Sequence, residues 1–511
     1  MGSAEYRRLP DLEPPEKRIT ASAGNILEIE IRQGYWKGRA VSGTVNLHHE
    51  GEIKARASIL GFIKDTDSVM PFITVTNGGP SSPTTLWNAQ LFSGTHRFDF
   101  DFNNFAYRGF VPETRLITKA NVLNVDALPT GLGEIYGNDK TWGFGVKRAG
   151  EINAAITEWF RSEYIDPRAP VGLIGSSYNG GIGMTANVLS LVERGIRPAA
   201  LGIINGYYEH HDAKHRYDFE RTGLRPFINV LPVLAVSSWY HRGLFSPVAS
   251  KREEDIYEEA REFAHSKEYA KANNASFRRD GLLYDEGLEQ EVAERLSYFL
   301  GISPEVIKKN HLRISPEIFT EQLFPGQKMS SIDTRKLFPV NFPTRIDPIV
   351  DSEEVILLDH IRARTSKKHG YSSAFWDFPD PYTPIIQPID SGQWQFDGMW
   401  SQRKAHEAMK EVLRLCPTID IRVINGMFET NTPGEREFWE DMYKSVPGLR
   451  VTHHYWRWRV WGDSDEFPSQ PEEPGVNIYT IPMGHQMDSS IASELAIPVL
   501  IQMAKKLQNA A

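Results

Sequence analysis

A single cysteine, Cys416, stands in 511 residues, so the chain cannot close a disulfide on itself, which suits a reducing compartment or a core that needs no covalent staple. Long apolar runs are missing too. The most hydrophobic stretch, Pro226 to Tyr240, is interrupted by Asn229, Pro232 and the pair Ser237-Ser238, which excludes a membrane span and leaves buried core or the wall of a site. Residues Met1 to Arg18 lack the apolar stretch of a signal peptide or anchor, so the expected address is the cytoplasm and no membrane partner is expected. Charge of one sign is not concentrated either. Lys and Arg number 57 against 66 Asp and Glu, a formal net charge of −9, and no basic stripe is present to meet a phosphate backbone, so nucleic acid is excluded as a partner. Internal repeats and low-complexity segments are absent as well. The histidine pairs His210-His211 and His453-His454 carry no spacing that would complete a metal site, because neighbours in a strand or helix point to different sides. We expect neither a metal nor a cofactor.

What is present, 40% hydrophobic residues over this length, suffices for a large globular core. Period-two alternation in Ile26 to Ile31 and Ala40 to Leu47 predicts a β-rich start made of antiparallel strands. Short apolar strands then alternate with helices: Phe72 to Thr76, Ala120 to Asp126, a helix Arg148 to Tyr164, Val171 to Ile174, a helix Gly181 to Arg194, and Ala199 to Ile204. That alternation predicts an α/β fold with a mostly parallel central sheet. After Asn205 the composition turns to Tyr, His and charge. Charged helices over Glu253 to Ala272 and Leu288 to Leu300, separated by prolines, predict an inserted, largely helical cap. Strands resume at Asp420 to Asn425 and Val476 to Ile481, and a last helix is expected over Ser490 to Gln508. The expected division is therefore a first core part over 1–205, a cap over 206–390 and a second core part over 391–511.

Strand, sharp turn and helix meet at Gly175-Ser176-Ser177-Tyr178-Asn179-Gly180-Gly181. Such a pattern fits a nucleophile elbow, where small residues let a helix pack close to the strand that presents a serine. It fits equally a plain serine cap at a helix start. Two later loops weigh on the choice, since a triad on such a sheet continues in the order serine, acid, histidine. Strand 420–425 is followed by Gly426-Met427-Phe428-Glu429, and strand 476–481 by Pro482-Met483-Gly484-His485. In that arrangement Ser177 attacks, His485 takes its proton, and Glu429 fixes the imidazole tautomer.

Taken together these segments resemble the serine carboxypeptidase family, in its disulfide-poor bacterial-type branch, within the α/β-hydrolase superfamily. Asn77-Gly78-Gly79-Pro80 is similar to the family's Asn-Gly-Gly-Pro-Gly loop, and Gly175-Ser176-Ser177-Tyr178-Asn179-Gly180 to its Gly-Glu-Ser-Tyr-Ala/Gly-Gly motif. Gly484-His485-Gln486-Met487 is similar to its Gly-His-Met motif. Leu234 to Tyr240, Leu312 to Ser315 and Ile332-Asp333-Thr334-Arg335 also fall in the family's order. The resemblance implies an oxyanion hole made by the backbone N–H groups of Gly79 and Tyr178, and a substrate region that includes Asn77 and Ser176. Trp239 and Tyr240 are aromatic candidates for a pocket wall, and serve equally as packing. Ser176 stands where the family has a glutamate, Asn179 where it has Ala or Gly, and Glu429 where it usually has Asp. Without the glutamate pair that holds a C-terminal carboxylate, the expected substrate is a small ester, amide or peptide-like molecule, cleaved through an acyl-enzyme. Two other outcomes remain open: passing the acyl group to an alcohol or amine, and an inactive binding protein on the same fold.

Overall fold

Leu27, Ile29 and Ile31 alternate with Glu28 and Glu30, and the backbone there runs as a long strand, β2 (Asn25–Tyr35). The computed structural model describes residues 17–22, 25–35, 39–49, 52–63, 69–76, 100–101, 106–107, 120–125, 134–135, 146–208, 217, 223–245, 251–278, 285–330, 333–340, 402–430, 432–455, 475–482, 499–500 and 502–507. Before β2 comes β1 (Lys17–Ser22), and after it β3 (Arg39–His49) and β4 (Glu52–Ile63); the four pair antiparallel in sequence order. This is the expected meander, longer than its alternation alone indicates. The next strands are β5 (Phe72–Thr76), a two-residue pair β6 (Phe100–Asp101) and β7 (Ala106–Tyr107), β8 (Asn121–Val125) and β9 (Glu134–Ile135).

From β8 onward the main sheet is parallel. Its order is β8-β5-β10-β11-β14-β16-β15, with β10 (Val171–Ser176), β11 (Ala200–Ile204), β14 (Asp420–Gly426), β15 (Val451–Tyr455) and β16 (Val476–Ile481). A separate hairpin, β12 (Gln327–Met329) with β13 (Leu337–Pro339), lies between β11 and β14 in the chain. Strands β5, β11, β14 and β16 are buried throughout, as expected of parallel strands covered on both faces, whose sequences read as continuous apolar runs. Successive residues feed opposite cores. Leu173 and Leu201 join one apolar cluster, while Ile174 and Ile204 join another with Val499, Leu500 and Met503.

The first cluster is filled by α1 (Val146–Tyr164), α3 (Ile182–Glu193), α10 (Gln402–Leu415) and α11 (Glu435–Ser445). Between α1 and α3 lies the single turn α2 (Ser177–Gly180). On the opposite face the helical residues 502–507 are tied to β14 through Arg422, whose guanidinium pairs with Asp420 (3.1 Å) and donates to the Val499 carbonyl (3.2 Å), while Lys506 reaches Asp420 at 3.0 Å.

Among the described residues between β11 and β14, six helices pack around an apolar cluster of their own: α4 (Arg225–His241), α5 (Glu253–Ala264), α6 (Lys267–Arg278), α7 (Glu286–Leu300), α8 (Pro304–Lys309) and α9 (Pro316–Leu323). The helix expected over Glu253 to Ala272 is two. It breaks at His265-Ser266, where the Ser266 hydroxyl accepts from the Tyr269 N–H (3.1 Å) and so caps the second helix. Among the described residues no helix is long and apolar enough to cross a membrane.

Phe160 of α1 is fully buried, stacked on Phe72 of β5 at 5.7 Å and lying where a side chain on Gly61 of β4 would have to go. It joins the antiparallel and parallel halves of the sheet to one helix. Phe160→Ala is expected to cost about 3–5 kcal/mol, the usual loss for a phenyl ring removed from a close-packed core. Urea unfolding measures it, and a loss below about 1 kcal/mol would mean that the site collapses around the void.

Candidate active site

The central strand β10 ends in extended backbone at Ser176 (φ −119°, ψ 155°) and turns at Ser177, whose φ is +51°. A left-handed serine is strained by about 1–3 kcal/mol, so the surroundings must hold it there. They do so through the backbone. The Ser177 carbonyl accepts from the Gly181 N–H (3.0 Å) and from the Tyr207 N–H (2.9 Å), and the Tyr207 carbonyl in turn accepts from the Ile182 N–H (3.0 Å). Glycines make this closeness possible. A Cβ on Gly175 would collide with the Asn179 backbone, and one on Gly181 with the Tyr207 backbone. Asn179, buried at 2% exposure, fits because the position facing its Oδ1 is Gly183, where a Cβ would stand 2.5 Å away.

The loop after β11 is shaped to wrap this turn. Asn205 is also left-handed (φ +47°), a conformation that asparagine tolerates better than most residues. Its N–H donates to the Ile424 carbonyl (2.8 Å) and its Oδ1 accepts from the Gly426 N–H (2.7 Å). A continuous set of backbone bonds therefore runs from Ser177 through residues 205–207 to the end of β14.

Beyond Gly426 the chain continues as Met427-Phe428-Glu429. The Met427 N–H donates to the Ile481 carbonyl (2.9 Å), which ties this loop to the end of β16. Glu429 has no exposed surface. Its Oε2 accepts from the Thr432 N–H (2.9 Å) and its Oε1 from the Thr432 hydroxyl (2.6 Å). A second buried carboxyl follows at Glu435, the first residue of α11. Among the described residues neither of its oxygens finds a partner in hydrogen-bond geometry, and one lies 2.5 Å from where a Cβ on Gly206 would stand. Burial pushes the Glu435 carboxyl well above the usual range; the Gly206 N–H works in the other direction, and the nearby Glu429 adds to the rise. Tyr208 packs into the same region, stacked on Phe438 at 3.8 Å, with its phenol pushed up by burial and by Glu435.

Ser176, Ser177 and Tyr178 thus sit together at the elbow, and Glu429 follows the strand two places away in the sheet. His485 comes four residues after the last residue of β16 and lies outside the described residues, as do Asn77 and Gly79. Asn77 directly follows β5, whose Thr76 is in register with Gly175 of β10. The two aromatic candidates on α4 part company. Tyr240 is 46% exposed with its ring edge-on to Phe428 (5.7 Å), beside the Glu429 loop, whereas Trp239 is half-buried against Tyr298 (5.5 Å). His453 and His454 diverge as well: the first faces Glu440 of α11 (3.6 Å) and the second Asn477 (3.1 Å). Sequence reading passed over Asn205, Tyr207, Thr432 and Glu435, although Asn205-Gly206 directly after a strand is a turn signal that points to them.

A parallel sheet entered by an antiparallel meander, crossing at β5 and β8, with a left-handed serine between its central strand and a helix, decides the architecture. The fold is that of an α/β-hydrolase. No protein-family model matches the sequence, and no curated protein is similar to it. Solved structures similar to it include Kex1(delta)p, a prohormone-processing carboxypeptidase from Saccharomyces cerevisiae, with 11% identity over 93% of this chain and 92% of that one and a TM-score of 0.43. A thermostable carboxyl esterase from Bacillus coagulans has 11% identity over 94% of this chain and 99% of that one, with a TM-score of 0.38. Carboxyl esterase 2 from Tuber melanosporum has 9% identity over 98% and 92%, with a TM-score of 0.34.

Glu435 supplies a test of the buried polar region. Burial holds the proton on this carboxyl to a higher pH in the fold than in the unfolded chain, where a glutamate ionises near pH 4.3, so its contribution to stability is full below that pH and is lost as pH rises toward the raised folded value. Glu435→Gln is neutral at every pH. Relative to wild type the variant is expected to gain stability as pH rises above about 4.3, by at most about 1.4 kcal/mol per pH unit, until the raised folded value is passed. Urea unfolding at several pH values measures this, and a difference that does not change with pH would contradict it.

Proposed function

We propose that this chain is a serine hydrolase of the α/β-hydrolase type that cleaves an ester, amide or peptide-like bond through an acyl-enzyme. The observation that carries the reading is the left-handed Ser177 at the C-terminal end of the central strand, held by backbone bonds to residues 181 and 207. Strain at a single serine in this place has no use in packing, and it is the geometry that lifts a hydroxyl clear of the sheet for attack.

In this reading the Ser177 Oγ attacks the substrate carbonyl carbon as its proton passes to His485. The tetrahedral oxyanion is met by the backbone N–H groups of Tyr178 and Gly79, donors aimed at the charge that develops in the transition state. As the intermediate collapses, the bond to the leaving group breaks and the imidazolium returns the proton to it. Water then repeats the sequence on the acyl-enzyme, releasing the acid and restoring Ser177. Glu429 orients the imidazole and stabilises its charged form; its burial and the two donors from Thr432 support a role as a fixed carboxylate rather than a solvated loop acid. Ser176, half-buried and without a carboxylate, supports a substrate other than the free C-terminus of a protein.

A fluorophosphonate probe tests the assignment without knowledge of the substrate, because the activated Oγ forms a bond to phosphorus as fluoride leaves. Wild type is expected to label at neutral pH and Ser177→Ala not at all. Glu429→Gln should label about 10³–10⁴-fold more slowly, the loss typical of a triad whose acid no longer sets the histidine tautomer. Folded wild-type protein that resists the probe would overturn the reading. A second expectation concerns specificity: peptides of unrelated sequence should not be trimmed efficiently from their C-termini at acid pH, and rapid trimming measured by mass spectrometry would contradict this.

A further inference from the structure

The segment Asp333-Thr334-Arg335 lies between the two strands of the β12–β13 hairpin, and it touches the residue before Glu429 and the residue that follows β16. The Thr334 N–H donates to the Phe428 carbonyl at 2.8 Å, one residue before Glu429. The Arg335 Nη1 donates to the Pro482 carbonyl at 3.3 Å, three residues before His485. The same guanidinium lies over the Phe428 ring, 4.8 Å from its centre.

Each of these groups is fixed from behind. Arg335 Nε and Nη2 bind the two oxygens of Asp333 at 2.8 and 2.9 Å, a fork that sets the plane of the guanidinium. The Asp333 N–H is held by the Ser330 hydroxyl (3.2 Å). Thr334 is fully buried, with its hydroxyl bonded to Ser237 of α4 (2.5 Å) and its carbonyl accepting from His241 Nε2 (2.8 Å). With Thr334 anchored on α4 and Arg335 on Asp333, the donors they present to the carbonyls of residues 428 and 482 are held in place.

We propose that Thr334 and Arg335 are positioning residues that hold Phe428 and Pro482, the residues from which the chain runs on to Glu429 and to His485, in fixed relation to Ser177. This rests on the serine-hydrolase reading above. The clasp acts by fixing the strand ends from which the acid and the base depart. Small misplacements of such groups are costly, since a shift of about 1 Å can lower a rate by about 100-fold.

Saturation labelling of the full chain with the fluorophosphonate probe separates positioning from simple stabilisation. Arg335→Met retains the bulk and apolar stem but loses the fork, the donor to residue 482 and the charge over Phe428. It is expected to lower the maximal labelling rate of Ser177 by about 10- to 100-fold, with the half-saturating probe concentration unchanged within about twofold and the melting temperature still above the assay temperature. Arg335→Lys keeps a donor and a charge without the fork, and is expected to fall between Arg335→Met and wild type; it also serves if Arg335→Met does not fold. Equal maximal rates for the folded variants and wild type, or a loss that only tracks the unfolded fraction, would overturn the clasp and leave the hydrolase reading standing. Wild-type protein that is not labelled at Ser177 would overturn the hydrolase reading, and the clasp with it.

Discussion

Ser177 adopts a left-handed backbone that no property of serine favours, so its conformation is imposed by the chain around it. Two N–H donors converge on its carbonyl, one from the helix that follows and one from the loop after β11. For the second to reach, Tyr207 must pass so close to residue 181 that only glycine can stand there. For Tyr207 to be in that place, the chain must turn at Asn205, which is itself left-handed and pinned to Ile424 and Gly426. The strain at one residue is thus distributed over three strands, β10, β11 and β14. None of these bonds uses a side chain of the candidate triad, so the scaffold can be kept while the chemistry is altered.

The buried region behind the elbow holds two carboxyls in different surroundings. Glu429 meets an N–H and a hydroxyl from Thr432, three residues on, in a compact local loop. Glu435 begins the next helix against Gly206 and Tyr208, and burial pushes its carboxyl well above the usual range. Because the Glu435 N–H is bonded to the Thr432 carbonyl (3.3 Å), one threonine organises the approach to both. A charge on each would repel the other in a medium with little screening, and this repulsion adds to the rise at Glu435.

Much of the sheet was legible from the sequence because parallel strands buried on both faces are short apolar runs, and Val171 to Ile174 or Ala199 to Ile204 can hardly be read otherwise. The elbow was legible for a related reason, since close approach of backbones demands glycine, and glycine is visible. What stayed hidden depends on distant partners. The sequence of α11 begins Glu-Arg-Glu, which reads as solvated, yet Glu435, Arg436 and Glu437 are all buried. Arg261 of α5 pairs with Glu437 (3.1 Å), and Arg436 with Glu258 of the same helix, across more than 170 residues of chain. No local periodicity encodes such a pairing. Asn179 looked out of place for a local reason, because the glycine that makes room for it, Gly183, belongs to the next helix.

The loop that carries Glu429 belongs to two cores at once. Its strand, β14, contributes Ile421 and Val423 to the cluster under α1 and α3, whereas Met427 and Phe428 are buried in the cluster of the helices between β11 and β14. A peptide that crosses from one close-packed core to another within four residues has little freedom, because each core fixes its own end of it. The position of the Glu429 carboxylate is therefore a joint product of the sheet and of the helical segment. Buried ion pairs strengthen this dependence. Arg436 and Glu437 tie α11 to α5, and an ion left buried without its partner typically costs about 3–5 kcal/mol, which penalises any docking of α5 that is shifted by even one turn. Apolar packing alone would tolerate such a slip more readily than a charge that must meet one particular partner. The residues that fix how the helices sit on the sheet thereby also fix where the acid lies relative to Ser177.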